Sequence, residues 1–200
     1  MIYYYGNGIP RDYEKAAEYF QKAADKGYPP AVYCLGVLYE NGEGVNQNPK
    51  RALVLYEKAA DAGFGDAMYR IGMMYVNDSL GKIKDKARAI DFFEKAVDNG
   101  SIEAAFALGV VHEDGVGGVE TDYAKAAKWY QRAAGAGHAA AQTRMGVLYD
   151  NGLGVERDFA AAAEWHQKAA LQGITYSRLR YAGMCYNGIG VTRNFNKAFK

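Results

Sequence analysis

Apolar and polar positions along the chain follow a helical period. Ala31, Leu35 and Leu38 are four and three residues apart, and Ala141, Met145 and Leu148 repeat that spacing. At about 100° of turn per residue, such positions share one side of an α-helix and form a core face. Counted from Tyr28 and from His138 as position 1, they are positions 4, 8 and 11, while positions 3, 6, 7, 10, 13 and 14 fall on the opposite side. The segment AAAQTRMGVLYDN therefore reads as one helix. Asn151 and Gly152 end it, because glycine enters the left-handed conformation of a helix C-terminus at little cost. A second helix opens near Asp158, an N-cap residue type, and runs through FAAAAEWHQKAALQ to Gly173. Small residues recur on both: Ala141 and Gly146 on the first, and Ala162, Ala163, Ala169 and Ala170 on the second. They predict close helix approach, with Tyr149 and Trp165 filling the space between layers.

This helix pair is repeated. The segments QKAADKG, EKAADAG, EKAVDNG, QRAAGAG and QKAALQG end at Gly27, Gly63, Gly100, Gly137 and Gly173, with spacings of 36, 37, 37 and 36. Small residues at Gly36, Gly72, Gly109, Gly146 and Ala182 keep the same spacings. Two independent series in one register define a tandem array whose units bury a core only by stacking. The expectation is one all-α solenoid domain over residues 1–200, built of antiparallel helix pairs of about 36 residues. Complete repeats fall at 28–63, 64–100, 101–137 and 138–173, with partial ones at 1–27 and 174–200. Residues 1–27 lack most of a first helix, FNKAFK stops inside a second, and neither end carries a polar capping repeat. A portion of a longer array is therefore expected.

Composition narrows the class. Lys and Arg number 24 against 23 Asp and Glu, giving a net charge of +1 and no electrostatic reason for a nucleic-acid partner. Four Pro against 24 Gly, among many Ala, fit packed helices punctuated by glycine turns. No run approaches the roughly 20 apolar residues of a membrane-spanning helix, so membrane insertion of this segment is not expected. MIYYYGNGIPRD has no basic start, apolar stretch or cleavage site, so no targeting signal is read here and the compartment stays open. Cys34 and Cys185 lie four repeats apart, beyond disulfide reach if each layer adds about 10 Å.

The pattern A-x-x-x-L-G-x-L-Y-x-x-G-x-G-V, followed by K-A-x-x-W-Y-x-K-A-A-x-x-G, resembles the Sel-one-like repeat, a relative of the tetratricopeptide repeat. LGVLYENGEGV and MGVLYDNGLGV carry the first half, and KAAKWYQRAAGAG and AAAEWHQKAALQG the second. Departures are local: VNDSLGKIKD replaces the G-x-G-V turn at 76–85, Gly118 is an extra residue, and His112 and Cys185 replace the usual Tyr. The resemblance implies a right-handed α-α superhelix and a non-enzymatic scaffold or adaptor role, binding a partner protein or peptide. A cysteine-rich bacterial branch of the family implies an alternative, an envelope-associated hydrolase or a protein binding β-lactams or peptidoglycan. This chain lacks that branch's cysteines.

If first helices line a concave wall, as in related tetratricopeptide solenoids, position 7 places Cys34, Arg70, Ala107, Arg144 and Arg180 along it. Position 6 places Tyr33, Tyr69, Phe106, Thr143 and Leu179 beside them. Arginine with aromatic rings is the chemistry enriched at binding hot spots. The candidate groove is thus Tyr33, Tyr69, Arg70, Phe106, Glu113, Arg144 and Arg180, taking an extended or helical peptide with acidic residues. The competing reading pairs the arginines with Glu103, Glu113 or Asp150, or leaves them solvated. No catalytic residue, cofactor or metal site is expected. His112, His138 and His166 fill slots that other residues fill elsewhere, and no C-x-x-C or H-E-x-x-H occurs. The glycines of GVGGVETD and GNGIP recur in every unit as turns rather than phosphate loops. Cys34 is the one groove-facing thiol in this register and the alternative nucleophile.

Overall fold

A computed structural model describes residues 2–6, 10–77, 85–115 and 119–198. The substituted turn around Ser79, the extra Gly118 and most of GNGIP lie outside these residues. Among the described residues all regular structure is helical: α1 (Ile2–Tyr5), α2 (Tyr13–Asp25), α3 (Pro29–Asn41), α4 (Pro49–Asp61), α5 (Gly65–Asn77), α6 (Lys86–Asp98), α7 (Ile102–Asp114), α8 (Tyr123–Gly135), α9 (Ala139–Asn151), α10 (Phe159–Leu171), α11 (Thr175–Asn187) and α12 (Phe195–Ala198). The chain forms two compact units, Met1–Ser101 with α1 to α6 and Ile102–Lys200 with α7 to α12. Within each unit every helix packs on the next one in sequence, the pairs α3–α4, α5–α6, α7–α8 and α9–α10 most extensively. Each unit is thus a solenoid segment of antiparallel helix pairs. No helix among the described residues is long and apolar enough to cross a membrane.

Local chemistry sets the boundaries. Each second helix from α2 to α10 starts at a side-chain cap: Asp12, Asn48, Asp85, Asp122 and Asp158 accept N–H groups of the first turn that have no partner within the helix. Asn48 accepts the Arg51 N–H at 2.9 Å. Asn48→Ala should destabilise the first unit by about 1 kcal/mol, read as a fall in urea midpoint with an unchanged slope. An unshifted midpoint would mean that Pro49 alone sets this helix start. The first helices α3, α9 and α11 end on left-handed Gly42, Gly152 and Gly188, whose N–H groups return to Leu38, Leu148 and Met184. The expected segment AAAQTRMGVLYDN is α9.

Leu35, Leu38, Ile71 and Met74 are buried in the first unit, and Leu108, Met145 and Leu148 in the second, on the face the periodicity gave them. One expectation changes. Ala31 is half-buried and Val32 is the buried residue of its turn, since the preceding α1 has four residues and offers no helix at that level. Trp165 is half-buried and lies under the Lys168 ammonium, 4.2 Å from the ring centroid. Tyr149 does pack inward, on a cluster of Ala162, Ala163 and Met184.

Candidate functional site

Each conserved step of the repeat register brings a glycine of one first helix under a ring of the following second helix. A Cβ on Gly36 would lie 2.6 Å from the Tyr56 ring; on Gly72, 2.6 Å from Phe93; on Gly109, 2.4 Å from Tyr130; and on Gly146, 2.7 Å from His166. Only a missing side chain lets the ring lie that close. Four residues beyond each glycine, one helical turn further on the same face, stand Glu40, Val76, Glu113 and Asp150. The tip of the ring therefore reaches that residue. The Tyr56 hydroxyl donates to Glu40 at 2.5 Å, the Tyr130 hydroxyl donates to Glu113, and His166 Nε2 lies 3.3 Å from Asp150.

A third group joins from the next first helix, and it is the position-7 arginine. Arg70 lies 4.0 Å from Glu40 and donates to the Tyr33 hydroxyl at 3.4 Å. Arg144 lies 3.5 Å from Glu113. Arg180 clamps Asp150 with two bonds, Nε at 2.7 Å and Nη2 at 3.0 Å. The carboxylates are largely enclosed, with Glu113 14% and Asp150 6% exposed, whereas the Arg144 and Arg180 side chains are 47% and 39% exposed. Burial raises the Tyr56 and Tyr130 pKa values, and the carboxylate accepting each hydroxyl raises them further, so both phenols stay protonated donors. Burial works against the Arg70 charge, but Tyr33 and Glu40 outweigh it and hold its pKa above the ordinary value.

The layers lacking this acid lack its partners as well. In repeat register the set is Tyr4, Phe20 and Cys34 at the N-terminus, then Glu40, Tyr56 and Arg70, then Val76, Phe93 and Ala107, then Glu113, Tyr130 and Arg144, and finally Asp150, His166 and Arg180. With no carboxylate, the ring carries no hydroxyl and the arginine is absent. A ring hydroxyl at position 93, left facing Val76, would be desolvated without an acceptor, which is the costly arrangement.

The His166 layer has a further member. Ser177 Oγ lies 3.2 Å from His166 Nδ1 and 2.9 Å from Thr143 Oγ1, and Ser177 and His166 are both fully buried. With Asp150 accepting from Nε2–H, the ring accepts the Ser177 hydroxyl at Nδ1. Hydroxyl, imidazole and carboxylate follow in the order used by serine hydrolases, but the Ser177 oxygen is sealed from solvent and is not presented to a substrate. Burial lowers the His166 pKa; Asp150 opposes that shift and Arg180 adds to it.

The candidate groove residues divide by unit. In the first, the Tyr33 ring packs on Tyr56 and Phe64 with centroids 5.6 and 5.2 Å apart, Tyr69 packs on Phe93 at 5.7 Å, and Arg70 bridges Tyr33 and Glu40. In the second, Phe106 packs on Tyr130 at 5.7 Å and stacks on His138 at 4.5 Å, Glu113 takes Tyr130 and Arg144, and Arg180 takes Asp150. All three arginines are therefore engaged by carboxylates of the preceding layer. The sequence reading did not connect Tyr56, Tyr130 and His166 to them. The signal was present in the joint replacement by Val76, Phe93 and Ala107. Cys34 is half-buried with its thiol pKa raised by burial, the opposite of an activated nucleophile, and both cysteines are free.

The Sel1 repeat profile matches at residues 1–28, 29–64, 65–101, 102–138, 139–174 and 175–200. Among solved structures, the chain is similar to a protective antigen of uropathogenic Escherichia coli strains with an SLR fold, at 38% identity and TM-score 0.84, covering 98% of this chain and 42% of that one. A Sel1 repeat protein from Oxalobacter formigenes is 29% identical with TM-score 0.88, covering 99% and 80% of the two chains. A putative Sel1 repeat protein from Klebsiella pneumoniae is 25% identical with TM-score 0.58, covering 91% and 88%. The chain thus spans less than half the length of the Escherichia coli protein. No curated protein matches it significantly.

Proposed function

The chain belongs to the Sel1 repeat family, whose members are generally non-enzymatic protein-interaction scaffolds, and from that premise we propose that it holds a partner peptide or protein against its first helices. The first unit offers Tyr33, Tyr69 and Arg70, and the second Phe106, Glu113, Arg144 and Arg180. The observation that carries this reading is the state of the arginines. Each guanidinium is held on one side by a carboxylate while 39% to 47% of its side chain stays exposed. A donor already fixed in place loses little freedom when a partner's acceptor meets it. Because each arginine is balanced by its own acid, the partner is recognised through hydrogen-bond acceptors, side-chain carboxylates among them, more than through net charge. The hydrolase or β-lactam-binding alternative has no observation in its favour.

Peptides selected on the intact chain from a displayed random library supply the test. Replacing Arg70, Arg144 and Arg180 together by Ala should weaken the selected peptides by tenfold or more in a titration, since each hot-spot truncation costs above about 1 kcal/mol. Raising the salt from 50 to 300 mM should change affinity only a few-fold, the charges being paired at short range. Unchanged affinity in the triple variant would overturn the proposal.

A further inference from the structure

We propose that the α9–α10–α11 layer is an acid-sensitive joint, in which protonation of His166 loosens α11 from the helices beneath it. Three elements meet at this ring. From α9 come Asp150 and Thr143, from α10 the imidazole, and from α11 Ser177 and Arg180. Two of the polar anchors of α11 therefore pass through one buried network. The equivalent slots hold Tyr56 and Tyr130, which donate a proton to the acid at every physiological pH, so this layer alone among the three carboxylate-bearing layers has an imidazole, the side chain whose unperturbed pKa lies near neutrality.

The neutral ring suits its surroundings. It donates once, to Asp150, and accepts once, from Ser177, with no solvent contact. A second ring proton would require Ser177 to turn its own hydrogen towards Thr143 and would place a full positive charge in a closed space. The charged and titratable groups facing the ring are Asp150 from α9, Arg180 from α11, and the Tyr176 ring from α11 with its centroid 6.0 Å away. The Asp150 carboxylate favours the charge, but both its oxygens are already bound to Arg180. Desolvation is the largest influence, and the folded pKa lies below the ordinary value. The unfolded chain, whose histidine titrates near about 6.5, therefore binds more protons than the folded chain as pH falls below that value. The stabilisation is complete above about pH 6.5 and is lost progressively below it. Acidification thus acts on α11, the helix that carries Arg180 and the exposed Tyr176 and Leu179. This inference stands whether or not the first-helix face binds a peptide.

Amide hydrogen exchange on the intact chain, corrected for the intrinsic effect of pH, tests it. The opening constant of Thr175–Asn187 should rise by threefold or more between pH 7.5 and 5.0, towards a ceiling of about thirtyfold set by an unfolded histidine pKa of about 6.5. His166→Gln keeps one donor and one acceptor without titrating, and should hold the change within twofold whatever its opening constant at pH 7.5. His166→Tyr, which restores the ring of the other layers, should do the same and serves if the Gln variant fails to fold. His138 also has a pKa lowered by burial and caps α9 through Ala141, so His138→Asn is the control and should leave the response of α11 in place. A pH-independent opening constant in the parent chain, or a response lost with His138→Asn and kept in His166→Gln, would overturn the proposal.

Discussion

Gly154→Ala should remove about 3 kcal/mol from the stability of the second unit, adding a left-handed backbone cost of about 1–2 kcal/mol to an overpacking cost of about 1–3 kcal/mol. Gly154 has φ +67°, and a Cβ there would stand 2.2 Å from the Tyr123 carbonyl carbon and 2.3 Å from its oxygen. These are backbone atoms at the start of α8, so no rotamer change relieves the clash. The same contact recurs at Gly44 against Tyr13 and at Gly190 against Phe159, so the glycine of the G-x-G turn seats each turn on the preceding second helix. Thermal or urea unfolding measures the loss. Gly135→Ala is the contrast: nothing lies within 4 Å of its Cβ and it closes α8 in a helical conformation, so that variant should be neutral or more stable. A loss below 1 kcal/mol at Gly154 would mean that the turn stands free of α8.

The second large effect concerns the buried acids. Glu113→Val alone should destabilise the second unit by about 1–3 kcal/mol, because it strands the Tyr130 hydroxyl in a closed space. Arg144 adds little to that figure, being half exposed and able to turn to water. Adding Tyr130→Phe and Arg144→Ala copies the set Val76, Phe93 and Ala107 found one repeat earlier, and should recover most of the loss. The coupling among the three positions should be about 1–2 kcal/mol, as for residues sharing one network. Strict additivity, with the triple variant the least stable, would show that the concerted replacement along the chain has another cause.

Much of the architecture was legible because it is periodic. Gly27, Gly63, Gly100, Gly137 and Gly173 set the register, and the apolar spacing of Ala141, Met145 and Leu148 set the inward face of α9. Those signals lie within one helix or recur at fixed intervals. The acid–ring–arginine sets were harder to see, since Glu113, Tyr130 and Arg144 come from three helices in two layers and each is unremarkable by itself. The pairing of arginines with Glu113 and Asp150 stood among the sequence alternatives as ordinary surface ion pairing. Enclosure of the carboxylates makes it something else, a joint between layers that leaves 39% to 47% of each arginine side chain exposed. Ser177 gave no sequence signal, because its position holds alanine in the other repeats and only packing reveals its contact with His166.

Whether a partner lies on the first helices is tested most directly by hydrogen exchange of the intact chain, with and without a saturating peptide selected from a displayed library. The account predicts added protection in the first helices, α3 and α5 or α7, α9 and α11, centred on the turns bearing Arg70, Arg144 and Arg180. Protection confined to the second helices α4, α6, α8 and α10, with those arginine turns unchanged, would contradict it.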